Sequence, residues 1–217
     1  MKPSARVLLA VAVAVAVPAA VHAHFKLLEP ATWIVESDRG DPQKAAPCGG
    51  DPKAEMTGVV GKAVGGSKLH LKVQETVYHP GHYRVALAVN SRAELPADPE
   101  TRERMTEKGP QSVWAAIQSP VQIPVIADGL FQHYTRPSQP QTWEGDVQLP
   151  NITCAKCTLQ VIQFMAEHGY NQPGGYSYHH CSDLQITADP AKPVDKDRKS
   201  TRLNSSHIQK SRMPSSA

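Results

Sequence analysis

Between residues 68 and 89 the chain alternates in character at every step. Leu69, Leu71 and Val73 alternate with His70, Lys72 and Gln74; after Tyr78-His79-Pro80-Gly81, Tyr83, Val85, Leu87 and Val89 alternate with His82, Arg84, Ala86 and Ala88. A period of two puts one set of side chains on one face of an extended strand, the pattern of a half-buried sheet. The two segments are expected to form a β-hairpin, or two strands that cross between sheets, with His79 at the connection. Strand phase turns His70 to solvent and sets His82 with Arg84 on the outer face or behind a site.

Shorter apolar runs at residues 25–28, 113–117, 121–126, 142–149 and 158–165 are separated by Pro, Gly, Asp and Asn, and the chain holds 19 Pro and 14 Gly. Short strands at such spacing predict an all-β, antiparallel sandwich with long loops. Residues 29–52 form one such loop. Residues 90–111 are polar and charged, and their proline-led Leu95-Pro96-Ala97-Asp98 start predicts a short surface helix or a structured loop.

The two ends of the chain read as separate from this domain. Lys2 and Arg6 precede an apolar stretch over residues 7–17, Pro18 breaks it, and Val21-His22-Ala23 offers small residues for cleavage, so residues 1–23 are expected to be a signal peptide. A cut after Ala20 is the alternative. The apolar stretch is too short to span a bilayer. Residues 197–217 look like the translation of a sequencing-library adapter; the alternative is a natural Ser-rich basic tail. The domain expected to fold is residues 24–196, with no membrane span in the mature protein.

Charge and cysteine content narrow the partners. Of 23 Lys and Arg, two precede His24 and five follow Lys196, leaving 16; of 20 Asp and Glu, only Asp197 is lost, leaving 19. The expected mature charge is about −3 with neutral histidines, which gives no electrostatic case for nucleic acid. Cys48, Cys154, Cys157 and Cys181 all lie in the mature region, and an even count in an exported chain predicts two disulfides in any of three pairings. Cys154-Ala155-Lys156-Cys157 also has the spacing of a zinc or redox pair, but zinc would want a second close pair.

Cleavage after Ala23 would make His24 the first residue. A terminal histidine offers its α-amine and ring Nδ1 to one ion, and one further histidine completes a nitrogen-only copper site. His79, held in a Pro-Gly turn, is the expected partner, with His82, His179 and His180 as alternatives. Three nitrogens in a T-shape suit both Cu(II) and Cu(I).

Four features occur in order along the mature chain: the His24 start, Cys48-Gly49-Gly50-Asp51, the His79-Pro80-Gly81-His82-Tyr83 turn, and Tyr178-His179-His180-Cys181-Ser182-Asp183. Together they resemble the lytic polysaccharide monooxygenases and the copper proteins that share their histidine brace. The resemblance implies a disulfide-stabilised sandwich of the immunoglobulin/fibronectin-III kind and one copper ion. His24 would bind through amine and ring, His79 through its ring, and Tyr178 would lie on the axial side, with His168 near the oxygen pocket. It implies a secreted or periplasmic monomer that uses an external electron donor to cleave glycosidic bonds of chitin or cellulose oxidatively, without the carboxylate pair of a glycoside hydrolase.

Two other classes compete with the enzyme: a copper carrier on the same fold, and a metal-free carbohydrate-binding module. Trp33, Trp114 and Trp143 are the candidates for a sugar-binding face, although burial in the sandwich is the commoner use of tryptophan.

Overall fold

The computed structural model describes residues 24–50 and 53–195. The expected signal peptide and adapter-like tail lie outside these residues, as does Asp51. Ten strands, numbered in chain order, make up nearly all of the regular structure. A three-stranded sheet has the order β1-β3-β8, with β1 at His24–Glu29, β3 at Lys68–Val77 and β8 at Thr142–Gln148. A five-stranded sheet has the order β2-β10-β9-β4-β7, with β2 at Val60–Val64, β10 at Ser177–Thr187, β9 at Cys154–Met165, β4 at Gly81–Ala88 and β7 at Val125–His133. The protein is a disulfide-stabilised all-β sandwich. Pairing is antiparallel throughout except at the edge, where β2 runs parallel to β10. No helix among the described residues is long and apolar enough to cross a membrane.

The core is where the two inner faces meet. Phe25 and Leu27 of β1 and Leu71 and Val73 of β3 pack against Tyr83, Val85 and Leu87 of β4 and Leu159 and Val161 of β9. These are the inward phases of the alternating runs. β3 and β4 do not form a hairpin: they belong to different sheets, so residues 78–80 cross from one layer to the other.

Three sequence expectations need correction. Residues 90–111 contain no surface helix beyond a single 3₁₀ turn at Arg92–Glu94; instead β5 at Thr101–Thr106 and β6 at Gly109–Ala115 pair as a hairpin. Its register leaves Thr106 and Gly109 paired around a tight turn. The strand placed at 121–126 starts at Val125 and runs on to His133, because the residues before it close a turn in which Val125 N donates to Gln122 O at 2.9 Å. The outer face of β4 is not solvated. Every residue of β4 is buried: on the outer face Arg84 donates to Ala116 O, just after β6, at 2.9 Å, and Ala115 of β6 joins Phe164, Ala166 and Tyr176 in a second apolar cluster.

His82 is consequently 1% exposed rather than solvated. Neither ring nitrogen has a hydrogen-bond partner, and the Asp128 carboxylate lies 3.9 Å away, already bonded to Arg84. Burial lowers its pKa to about 4, with Asp128 working in the opposite direction. His70 faces solvent as expected, beside Asp146 at 3.3 Å.

Cys48 is joined to Cys181 and Cys154 to Cys157. The first bond ties the long loop after β1 to β10, 133 residues away. The second closes within β9, so the Cys-x-x-Cys spacing is a local crosslink.

Candidate functional site

The residues singled out from the sequence meet at one end of the sandwich. His24 begins β1, His79 sits in the crossover between sheets, His168 lies in the loop after β9, and Tyr178 is the second residue of β10. The His24 ring lies 5.5 Å from Tyr178, Tyr178 lies 6.4 Å from His168, and His168 meets His79 edge-on at 4.6 Å. All four side chains are buried, the imidazoles between 4% and 8% exposed and Tyr178 fully.

Each is held by its own local device. The strand carrying His24 is fixed on both sides of Phe25, whose N–H donates to Gln43 Oε1 at 3.1 Å and whose carbonyl accepts from His180 Nε2 at 3.0 Å. With Nε2 donating, His180 turns Nδ1 to Glu36 Oε1 at 3.0 Å. Burial lowers the His180 pKa to about 3, against the Phe25 carbonyl, and raises that of Glu36 to about 7, against the Leu27 N–H. A neutral acid beside a neutral imidazole is the arrangement both shifts favour. His180 is thus a prop behind β1 and not a partner for His24. His179 pairs with Asp98 at 2.7 Å.

Pro80 and Gly81 set the crossover, since a Cβ on Gly81 would collide with the Phe164 carbonyl. His168 is anchored through its backbone: its carbonyl accepts from Ser112 N at 3.0 Å, which ties the loop to the β5–β6 hairpin. The buried Tyr178 phenol has its pKa pushed up to about 12, first by burial, with Asn171 opposing and Asp41 adding to it. It stays neutral at physiological pH.

Three residues that sequence reasoning passed over belong to this end of the molecule. Asp41 Oδ2 lies 3.1 Å from His24 Nε2. His133 Nε2 donates to the His79 carbonyl at 2.8 Å and lies equally close to Glu75 Oε1. Burial disfavours a charge on His133, but Glu75 and the Phe131 and His79 carbonyls outweigh it and raise its pKa. Glu75 had a readable signal: it continues the inward phase of Leu71 and Val73, where a carboxylate needs a reason.

The tryptophans are not gathered on one face. Trp33 packs under Arg92 at 3.7 Å, Trp114 lies beside Arg102 on the hairpin, and Trp143 stacks on His133 at 5.0 Å. A cleft of about 280 Å³ opens beside the crossover between residues 75–78 and 136–141, with Arg136 over the Tyr78 ring at 5.5 Å.

Among the described residues, no three His, Cys, Asp or Glu side chains converge tightly enough to hold a metal by side chains alone. A histidine brace needs only two side chains, because its third nitrogen is an α-amine that exists only after the bond preceding His24 is cut. The chemistry of the donors fits copper in that form: two imidazoles and a neutral phenol, with His24 Nε2 turned to a carboxylate. No family model matches the chain, and no curated protein matches it.

Proposed function

We propose that the mature protein is an exported copper protein whose one ion would be held by the His24 amine, His24 Nδ1 and the His79 ring, with the Tyr178 phenol beside them. The gathering of His24, Tyr178, His168 and His79 at one end of the sandwich is the observation that carries this reading. Copper in such a site supplies one-electron chemistry toward dioxygen or peroxide, fed by an external donor, and the activity we assign is oxidative cleavage of glycosidic bonds in a chitin- or cellulose-class polysaccharide. The chain's own part is to orient the donors and exclude water. Tyr178 contributes an un-ionised phenol in a desolvated position, and His168, edge-on to His79, sets a polar wall beside it.

One observation favours a second reading. Imidazoles no more than 8% exposed suit retention of an ion better than contact with an insoluble polymer, as in a copper carrier on the same fold. Mature protein beginning at His24, loaded with one copper and given a reductant and peroxide, should release oxidised oligosaccharides from chitin or cellulose. One tightly bound copper with no product across a broad polysaccharide panel replaces the enzyme with the carrier. Failure to bind copper at all ends both readings.

A further inference from the structure

Glu75 and His133 form a buried bridge between the two sheets. Glu75, on β3, is 2% exposed, and His133, at the end of β7, is 7% exposed. Glu75 Oε1 lies 2.8 Å from His133 Nε2 and also accepts from Gln163 Nε2 of β9 at 2.5 Å. His133 Nδ1 donates to Phe131 O, Nε2 donates to His79 O at 2.8 Å, and the Trp143 ring stacks on the imidazole at 5.0 Å. A bridge of this kind contributes little net stability compared with apolar side chains of the same volume, so its presence asks for another use.

Its location supplies one. In the β1–β3 ladder Glu75 is the cross-strand partner of Phe25, the residue that follows His24. The other end of the bridge holds the carbonyl of His79 itself. One side-chain pair therefore spans from the strand that carries the first imidazole to the crossover that carries the second, and joins the two sheets as it does so.

We propose that Glu75 and His133 are positioning residues that set the His79 crossover against the His24 strand. The bearing on copper rests on the function proposed above; the bearing on the crossover does not. Next to His79, Pro80 offers no N–H, and its carbonyl accepts from Ala166 N at 2.7 Å. Removing the His133 donor leaves the His79 carbonyl without that bond and loosens the turn.

The test compares two double variants, because either single change would strand a buried charge. Glu75→Gln with His133→Gln keeps a side-chain N–H near the position of Nε2; Glu75→Gln with His133→Phe keeps the ring volume against Trp143 but offers no donor. Both are neutral pairs that retain the fold, checked by thermal melting. Amide hydrogen exchange at residues 78, 79, 81 and 82 should be about tenfold faster in the Phe double variant, the equilibrium factor of one lost hydrogen bond, and near wild type in the Gln double variant. Copper dissociation constants should follow the same order, rising about 10- to 100-fold in the Phe double variant. Equal exchange in the two variants overturns the proposal. If the wild-type protein takes up no copper, the exchange comparison still decides it, and only the proposed function fails.

Discussion

Asp41 Oδ2 lies 3.1 Å from His24 Nε2, with the histidine buried and the carboxylate 44% exposed. A carboxylate at Nε2 favours the proton on that nitrogen, the tautomer that a chelate through Nδ1 and the α-amine requires. Asp41→Ala should therefore leave the fold intact and weaken copper binding about 10-fold or more, measured by competition with a chelator of known affinity. Nitrogen chemical shifts of the metal-free His24 ring should move toward a tautomer mixture. An unchanged affinity would mean the contact is incidental.

His79 and His70 provide a contrast between a histidine in the turn between the sheets and one on the outer face of a strand. His79 is buried in the crossover, whereas His70 pairs with Asp146 and Glu144 on the surface. His79→Ala should lower copper affinity at least about 100-fold, the upper end of what losing even a supporting group costs, and His70→Ala should change it less than twofold. Isothermal titration of the two variants separates them. Adding one residue before His24 should abolish tight binding, since it turns the amine into an amide.

Acid stability should report on His82. Its folded pKa near 4 lies below the value of about 6.5 expected for the unfolded chain, so between these pH values the unfolded state binds the extra proton. The contribution is complete above about pH 6.5 and is lost as pH falls toward 4, by about 3 kcal/mol in all. His82→Gln should flatten that part of the stability curve by this amount in urea melts at pH 7 and pH 4. A wild-type slope in the variant would place the acid sensitivity elsewhere.

The two disulfides should differ in weight. Cys48–Cys181 closes a sequence separation of 133 residues and Cys154–Cys157 one of 3. Constraint of the unfolded chain grows with loop length, giving about 5 kcal/mol for the first and about 2 kcal/mol for the second. Replacing Cys48 and Cys181 by Ser should lower the melting temperature well beyond the same change at Cys154 and Cys157. Comparable losses would show that native packing, and not loop closure, sets the effect.

The sandwich was legible because its inward residues keep a period of two, and Leu69, Leu71 and Val73 point where the alternation says. The same logic misplaced His82: phase tells which face a residue is on, but not whether another layer covers that face, and the β5–β6 hairpin does. That hairpin was missed because Thr101–Thr106 reads TRERMT, with no apolar alternation, and its pairing comes from β6 and the turn between them. His24, His79, His168 and Tyr178 could be picked out by type and order. Asp41, Glu75 and His133 could not be joined to them, because their roles depend on contacts across 17, 58 and 54 residues of chain that the path of the loop after β1 and the packing of the two sheets bring together.

The hydrogen bond from His180 to the Phe25 carbonyl joins residues 155 positions apart. It makes the first strand of the domain a dependant of the last. During synthesis β1 emerges early with its partner β3, yet the group that fixes Phe25, and the tyrosine that packs on His24, arrive only with β10. Non-local closure of this sort is the slow part of folding an all-β chain. The contacts that hold the His24 end are therefore complete only once β10 is in place, and on the function proposed above a chain lacking β10 would lose both the His180 bond behind Phe25 and the Tyr178 ring beside His24.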